Sequence, residues 1–416
     1  MKLLWLSNMV PGAVQEKLSG RKDGGLWIDR MLAGVRHAGY TVRVLCPMDR
    51  AEEGIVDSSL SFSTFTEGLP YVYMPELEAR FVNEVKQLQP DVIHIWGTEY
   101  GHTLAMVNAA EKTGMLDRTI IHIQGMISVI ARHYCEGIPH GVQHSYTFRD
   151  FIRRDNIARQ QKKYVMRGEL EVKALQKARH VLGRTDWDKA CAKQINPDVQ
   201  YHFCNETLRD AFCDGKWQYE KCRKHRIFAS SCSYPVKGFH YLLEAFAEVL
   251  KVYPDATLAV TGKSCIPKTF KDRLRQEGYQ KYLADLIGKY GLENKVEFLG
   301  GLSAEQMKEN YLRSNVFVLP STIENSPNSL GEAMLLGVPC VASDVGGVSD
   351  MMVHDQEGFI YQSTAPYMLA YYIKTVFDMG EAAQQMGLAA SAHARKTHDP
   401  EINLQELLKI YEKLAQ

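Results

Sequence analysis

Nowhere in the 416 residues do apolar side chains run for the ~20 positions that a membrane-spanning helix needs, so none is expected. The opening Met1–Ser7 run is interrupted at Ser7 and Asn8 and is shorter than the apolar core of a secretory signal. Neither charge is in surplus: Lys+Arg and Asp+Glu both number 49, which sets a nucleic-acid partner aside. No Cys-x-x-Cys occurs, and the nine cysteines are scattered and odd in number. That fits reduced thiols in a cytosolic enzyme better than a disulfide framework or a zinc site. There is no internal repeat and no low-complexity tract. No Gly-x-Gly-x-x-Gly follows the first apolar run, which argues against a nicotinamide dehydrogenase.

What the chain does have is alternation. Lys2–Ser7, Tyr40–Pro47, Asp91–Trp96, Arg118–Gln124 and His180–Gly183 read as buried strands, separated by helical patterns at Leu26–Ala38, His102–Thr113 and Ile157–Ala178. The pattern restarts with strands at Arg226–Ser231, Ala256–Thr261, Lys295–Leu299, Val316–Pro320 and Val338–Ser343. Helices are predicted between them at Phe239–Val252, Lys268–Tyr290, Ala304–Arg313 and Ser329–Leu336, and at the end at Pro366–Met379, Glu381–Arg395 and Pro400–Leu414. Such alternation gives parallel sheets and two doubly wound domains. The domains are predicted as 1–205, with a helix at about 400–416 packing back on it, and 206–399.

In doubly wound sheets ligands sit outside the carboxyl ends of the strands. Two post-strand loops stand out. One ends in Gly24-Gly25 before a helix, where backbone amides could approach an anion; the alternative is a flexible loop with turn glycines. The other is Pro320–Met334, with Glu324 on the loop and Glu332 in the following helix, eight positions apart. Both carboxylates could accept hydrogen bonds from vicinal hydroxyls of a sugar or ribose. Amides at Ser326, Asn328 and Ser329 could hold a phosphate.

The context resembles a known family. Lys237-Gly238 with Leu242-Leu243-Glu244-Ala245-Phe246, Val296–Gly300, Val318–Ser321, Glu324…Glu332-Ala333-Met334, Gly337-Val338-Pro339, Val345-Gly346-Gly347 and Glu357-Gly358 fall in the order of the retaining GT-B glycosyltransferases of family GT4. The N-terminal half resembles it more weakly, through Asp23-Gly24-Gly25, Pro90–His94 and Arg184-Thr185-Asp186. The resemblance implies an α/β GT-B fold, two doubly wound Rossmann-like domains facing across a cleft. It implies transfer of a sugar from a nucleotide-sugar donor to a carbohydrate or lipid-linked acceptor, with no cofactor and no metal. Glu324 would then lie near the transferred sugar, Glu332 at the ribose, and Lys237 at the donor diphosphate, flanked by Ser231 and by Asn325, Ser326, Asn328 and Ser329. The alternatives are another sugar enzyme on this fold, an epimerase or phosphorylase, or a non-catalytic nucleotide-sugar-binding protein.

The chain departs from the family in three places. Ser231 and Cys232 stand where Gly-Arg is usual, so another cation (Arg21 or Lys22) or hydroxyls and amides must serve the diphosphate. Gln124 replaces a histidine, so proton transfer of the histidine type is excluded there. Asn325-Ser326-Pro327-Asn328 replaces Gly-Phe-Gly, which makes the sugar pocket more polar. On the acceptor side His122, His133 and Tyr134 are candidates, His122 with a structural reading beside it. Arg149–Arg179 carries ten Lys/Arg against four acids, read as a solvated face or as contact with an anionic acceptor or membrane. The expected location is cytoplasmic, with peripheral contact at the inner membrane face as the variant of that reading.

Overall fold

Runs such as Leu3–Leu6 and Val316–Leu319 are apolar at every position because both faces of each strand are covered. The computed structural model describes residues 1–20 and 27–416. Its first sheet contains β1 (Lys2–Ser7), β2 (Thr41–Pro47), β3 (Glu53–Asp57), β4 (Leu60–Phe65), β5 (Val92–Trp96), β6 (Thr119–His122), β7 (His180–Gly183) and β8 (Gln200–Phe203). Their order is β3-β4-β2-β1-β5-β6-β7-β8, parallel except for the β3–β4 pair. The second sheet is parallel throughout: β9 (Arg223–Ala229), β10 (Thr257–Val260), β11 (Val296–Phe298), β12 (Ser314–Leu319), β13 (Cys340–Asp344) and β14 (Phe359–Gln362). Its order, β11-β10-β9-β12-β13-β14, reverses direction between β9 and β12. That is the switch point at which a doubly wound sheet opens a crevice.

The alternation of side chains along the first sheet builds two cores. Leu4, Leu6, Ile93, Ile95 and Ile121 face one layer. Leu3, Trp5, Val92, Trp96 and Ile120 face the other, where the final helix, Pro400–Ala415, buries Leu407, Tyr411 and Leu414. Tyr411 also hydrogen-bonds the ring of His94.

Contacts divide the chain into two units: Met1–Ala131 with Lys163–Arg209 and Thr397–Gln416, and Arg132–Lys162 with Asp210–Lys396. The segment 132–162 therefore belongs with the second unit, whereas the sequence reading kept it in the first. Its anchors explain the difference. Glu136 O accepts from His240 Nε2 (3.1 Å), and Arg149 pairs with Glu277 (2.9 Å). A second difference lies in the predicted helix Lys268–Tyr290, which is two helices, Phe270–Arg275 and Gly278–Tyr290. The break forms because Glu277 and Gln280 make a capping box, while Gln276 turns aside to donate to Cys265 O (2.8 Å).

Past the end of β5 the first unit holds two carboxylates. Glu171 accepts from the amides of Ile127 (2.9 Å) and Ser128 (2.7 Å) and from the Thr98 hydroxyl, fixing the start of helix Ile127–His133. Nearby, Glu99 has its Oε2 closed off from solvent. Burial pushes the Glu99 carboxyl up to about 7, its own backbone N–H and Arg167 oppose that, and the Glu171 charge reinforces it. The folded state thus holds this proton at pH values where the unfolded chain, titrating near 4.5, has lost it. Stability should fall as pH rises from about 4.5 to about 7, by up to ~3 kcal/mol. Glu99→Gln is expected to raise the melting temperature at pH 8 and leave it nearly unchanged at pH 4.5; an equal effect at both pH values in thermal melts would contradict this.

Candidate functional site

The second unit's site is assembled by neighbouring loops after β9 and β12. β9 leads through a turn at Pro235–Lys237 into helix Phe239–Leu250. Gly238 holds that turn at φ +62°, and a Cβ there would fall 1.8 Å from Pro320 O. The close approach lets the Thr322 amide donate to Val236 O (2.8 Å). On the far side the amide of Gly347 donates to Glu324 O (3.2 Å), and a Cβ at Gly346 (φ +54°) would fall 1.7 Å from the same carbonyl. Only glycine fits at these two positions. The Glu324 loop is thereby held between two backbones.

Held this way, Glu324 meets Lys237: Nζ lies 2.6 Å from Oε1, which also accepts from Ser321 Oγ at 2.7 Å. Burial would lower the lysine, but the Glu324 carboxylate outweighs it and holds the ammonium well above its ordinary range, with the Tyr234 hydroxyl assisting. Lys237 therefore stays a cation at any working pH, and it sits at the switch point. Beside it, helix Asn328–Leu335 begins after Pro327 with no side-chain cap. Its first amides, Asn328 and Ser329, have no acceptor within the helix by geometry. A cation and a helix N-terminus on one strand edge suit a diphosphate.

Glu332 is placed differently from Glu324. It lies under the first helical turn, 3% exposed, with Oε2 3.4 Å from the Tyr311 hydroxyl, which also donates to Ser329 O (3.0 Å). Asn325 is buried, while Ser326, Asn328 and Ser329 are half-exposed along the loop and first turn. Ser231 accepts from the Ser233 amide (3.3 Å). Cys232 is buried with its thiol against Thr261 O (3.4 Å), and burial pushes it up to about 12. No charge stands where an arginine would be usual. Gly24, Gly25, Arg21 and Lys22 lie outside the described residues.

The acceptor-side candidates separate. Gln124 lies just beyond β6 in the first unit, with its Nε2 buried and unpartnered among the described residues. For His122 the structural reading stands over the acceptor-side one: 2% exposed, its ring lies against Trp96 (4.7 Å between centroids) and His94, with Arg184 Nη1 3.4 Å away. Burial first, then His94 and Arg184, hold its pKa well below the usual value, so it stays neutral. Tyr134 is likewise closed, 3% exposed and donating to Gln160 (2.9 Å). His133 remains partly exposed and pairs with Glu136 (2.6 Å). Its carbonyl accepts from Thr322 Oγ1 (3.2 Å), which sets it beside the Glu324 loop of its own unit. Sequence reasoning passed over Ser321, Tyr234 and Tyr311; only Ser321 had a signal, in Pro320-Ser321. Among the described residues no three His, Cys, Asp or Glu side chains gather as a metal site.

Residues 220–393 match the family described as Glycosyl transferases group 1, a span that contains Lys237, Glu324 and Glu332. The chain is 30% identical over 161 residues to D-inositol 3-phosphate glycosyltransferase of Corynebacterium diphtheriae, covering 38% of this chain and 35% of that protein. Alignments of this kind span between 33% and 49% of the relatives' own length. The structure superposes on sucrose-phosphate synthase from Thermosynechococcus elongatus with a TM-score of 0.70 at 14% identity, over 100% of this chain and 99% of that one. It superposes on Anabaena HepE in complex with UDP with a TM-score of 0.66 at 18% identity, over 99% and 100%. The fold is that of the GT-B glycosyltransferases.

Gly346→Ala is expected to cost at least ~2 kcal/mol, because a left-handed backbone and a blocked carbonyl must both yield. A denaturant melt indistinguishable from wild type would show that the Glu324 loop is not held as described.

Proposed function

We propose that this protein is a GT4-type retaining glycosyltransferase, moving a sugar from a nucleotide-sugar donor to a hydroxyl of a carbohydrate or lipid-linked acceptor. The observation that carries the reading is the Lys237–Glu324 pair beside the start of helix Asn328–Leu335. The family match over residues 220–393 supports it. So does the likeness in fold to a protein that its own description gives as bound to UDP.

In this reading the donor diphosphate takes up Lys237 and the amides of Asn328 and Ser329. Glu324, no longer neutralised by the lysine alone, accepts hydrogen bonds from sugar hydroxyls. Ribose hydroxyls reach the carboxylate of Glu332 beneath the first turn. The bond from the anomeric carbon to the diphosphate oxygen breaks, and the acceptor oxygen bonds to that carbon on the same face. The acceptor proton passes to the departing diphosphate oxygen. Negative charge grows on that leaving group, and Lys237 with the helix amides stabilises it. Gln124 offers a carboxamide, suited to hold a hydroxyl and not to move a proton.

A thermal-shift panel of UDP-, GDP- and ADP-sugars should identify one stabilising donor, and stabilisation by none would remove the reading. With that donor, Glu332→Ala should weaken nucleoside diphosphate binding roughly ten- to a hundredfold, as expected for losing hydrogen bonds of ~1.5–3 kcal/mol to a charged group. Glu324→Gln should lower turnover and leave that affinity close to wild type, since it removes the charge beside the sugar and frees Lys237. The reverse pattern in calorimetry and turnover assays would exchange the two roles. Sugar transfer should persist in excess EDTA; its loss, with recovery on adding magnesium or manganese, would refute the metal-independent route.

A further inference from the structure

The basic stretch Arg149–Arg179 does not act as one surface. On the long helix Ile157–Lys177 several of its cations are engaged within the protein. Lys177 contacts Asn108 and Glu111 (2.9 and 2.6 Å), and Arg167 donates to Glu99 O (2.9 Å) while lying over the Tyr100 ring. The short helix before it, Phe148–Arg153, is different. Phe148, Phe151 and Ile152 are 56%, 72% and 64% exposed. It packs against another short helix of the same unit, Phe270–Arg275, whose Phe270 is 76% exposed. Each helix is capped by a threonine, Thr147 and Thr269, and Arg149 pairs with Glu277, the residue that opens the following helix Gly278–Tyr290. Between them runs an open groove floored by Phe148, Ile152 and Leu274 and rimmed by Arg149, Arg153 and Arg275.

Four large apolar side chains this exposed, close together on one unit, call for an occupant. The charge around them identifies its chemistry. Residues 148–154 and 268–275 hold seven Lys or Arg against two Asp. Both aspartates are occupied: Asp150 is buried and accepts from Arg149 (3.1 Å), and Asp272 accepts from the Thr269 amide (2.9 Å) as a cap. A second copy of this face would set cations against cations. We propose that helices Phe148–Arg153 and Phe270–Arg275 form a peripheral docking surface for an anionic lipid bilayer. The phenylalanines and Ile152 enter the headgroup boundary, and Arg153, Arg154, Lys271 and Arg275 lie along the lipid phosphates. This inference is independent of the transfer reaction.

The test is cosedimentation of the full-length protein with phosphatidylcholine vesicles, with and without phosphatidylserine, at low and high salt. Wild type should pellet with the phosphatidylserine vesicles at low salt, and binding should weaken at high salt. Binding should fall roughly fivefold for each cation removed, so Arg153→Gln with Lys271→Gln should lose roughly 25-fold. Phe151→Ser with Phe270→Ser should bind more weakly than wild type at every salt concentration. Lys173→Gln, on the long helix, should bind as wild type does. Matching thermal melts establish that each variant is folded. A wild type that stays in the supernatant at low salt overturns the proposal and leaves the face to an acidic protein partner. Paired variants that pellet as wild type does also overturn it. So does a dimer by light scattering that Phe151→Ser dissolves, because the occupant would then be a second copy.

Discussion

The second unit is organised around one ion pair. Lys237 and Glu324 come from loops after β9 and β12, adjacent strands on either side of the switch point, and neither charge is fully hydrated. A lone buried charge is costly, whereas a paired and hydrogen-bonded one is tolerated. The pair holds Lys237 charged, and Ser321 supplies a further hydrogen bond to Glu324. Gly238 and Gly346 are steric consequences of that arrangement, since each permits a backbone approach that no side chain allows. A ligand anion entering here meets a cation already in place.

The two sheets share a construction and differ at their strand ends. In both, strands covered on both faces direct the following loops to one edge, the edge where chemistry can be placed. The second sheet uses it for an ion pair and an uncapped helix start. The first fills it with aromatic and imidazole rings, Trp96, His94 and His122, and with the carboxylates Glu99 and Glu171. Burial holds the His94 and His122 rings neutral, which suits packing, and raises the carboxyls of Glu99 and Glu171, Glu99 to about 7.

Strands β1, β5, β7, β9 and β12 were legible because short apolar runs alternating with helical patterns read as strands covered on both faces. The edge hairpin β3–β4 was not: its first strand alternates exposed and half-exposed residues and carries little apolar signal. Lys237 and Glu324 were legible by resemblance, though their direct contact was not, because a contact 87 positions apart depends on strand order. Tyr134 misled in the same way: a polar ring near a candidate loop looks available in sequence, and only packing shows it closed. For His122 the structural reading, that of a histidine within an apolar strand, is the one its burial supports. The break at Gln276–Glu277 was hidden because charged residues continue the helical pattern across it; the capping box ends it all the same.

The central claim is that Lys237 is a diphosphate-binding cation held ready by Glu324. Isothermal titration of UDP, or of whichever nucleoside diphosphate stabilises wild type, into Lys237→Met tests it most directly. Removing the lysine deletes the attraction and leaves Glu324 uncompensated beside the phosphates. The account predicts affinity weakened at least tenfold, ~1.4 kcal/mol or more, in a variant that melts cooperatively. Affinity equal to wild type in that folded variant would contradict it.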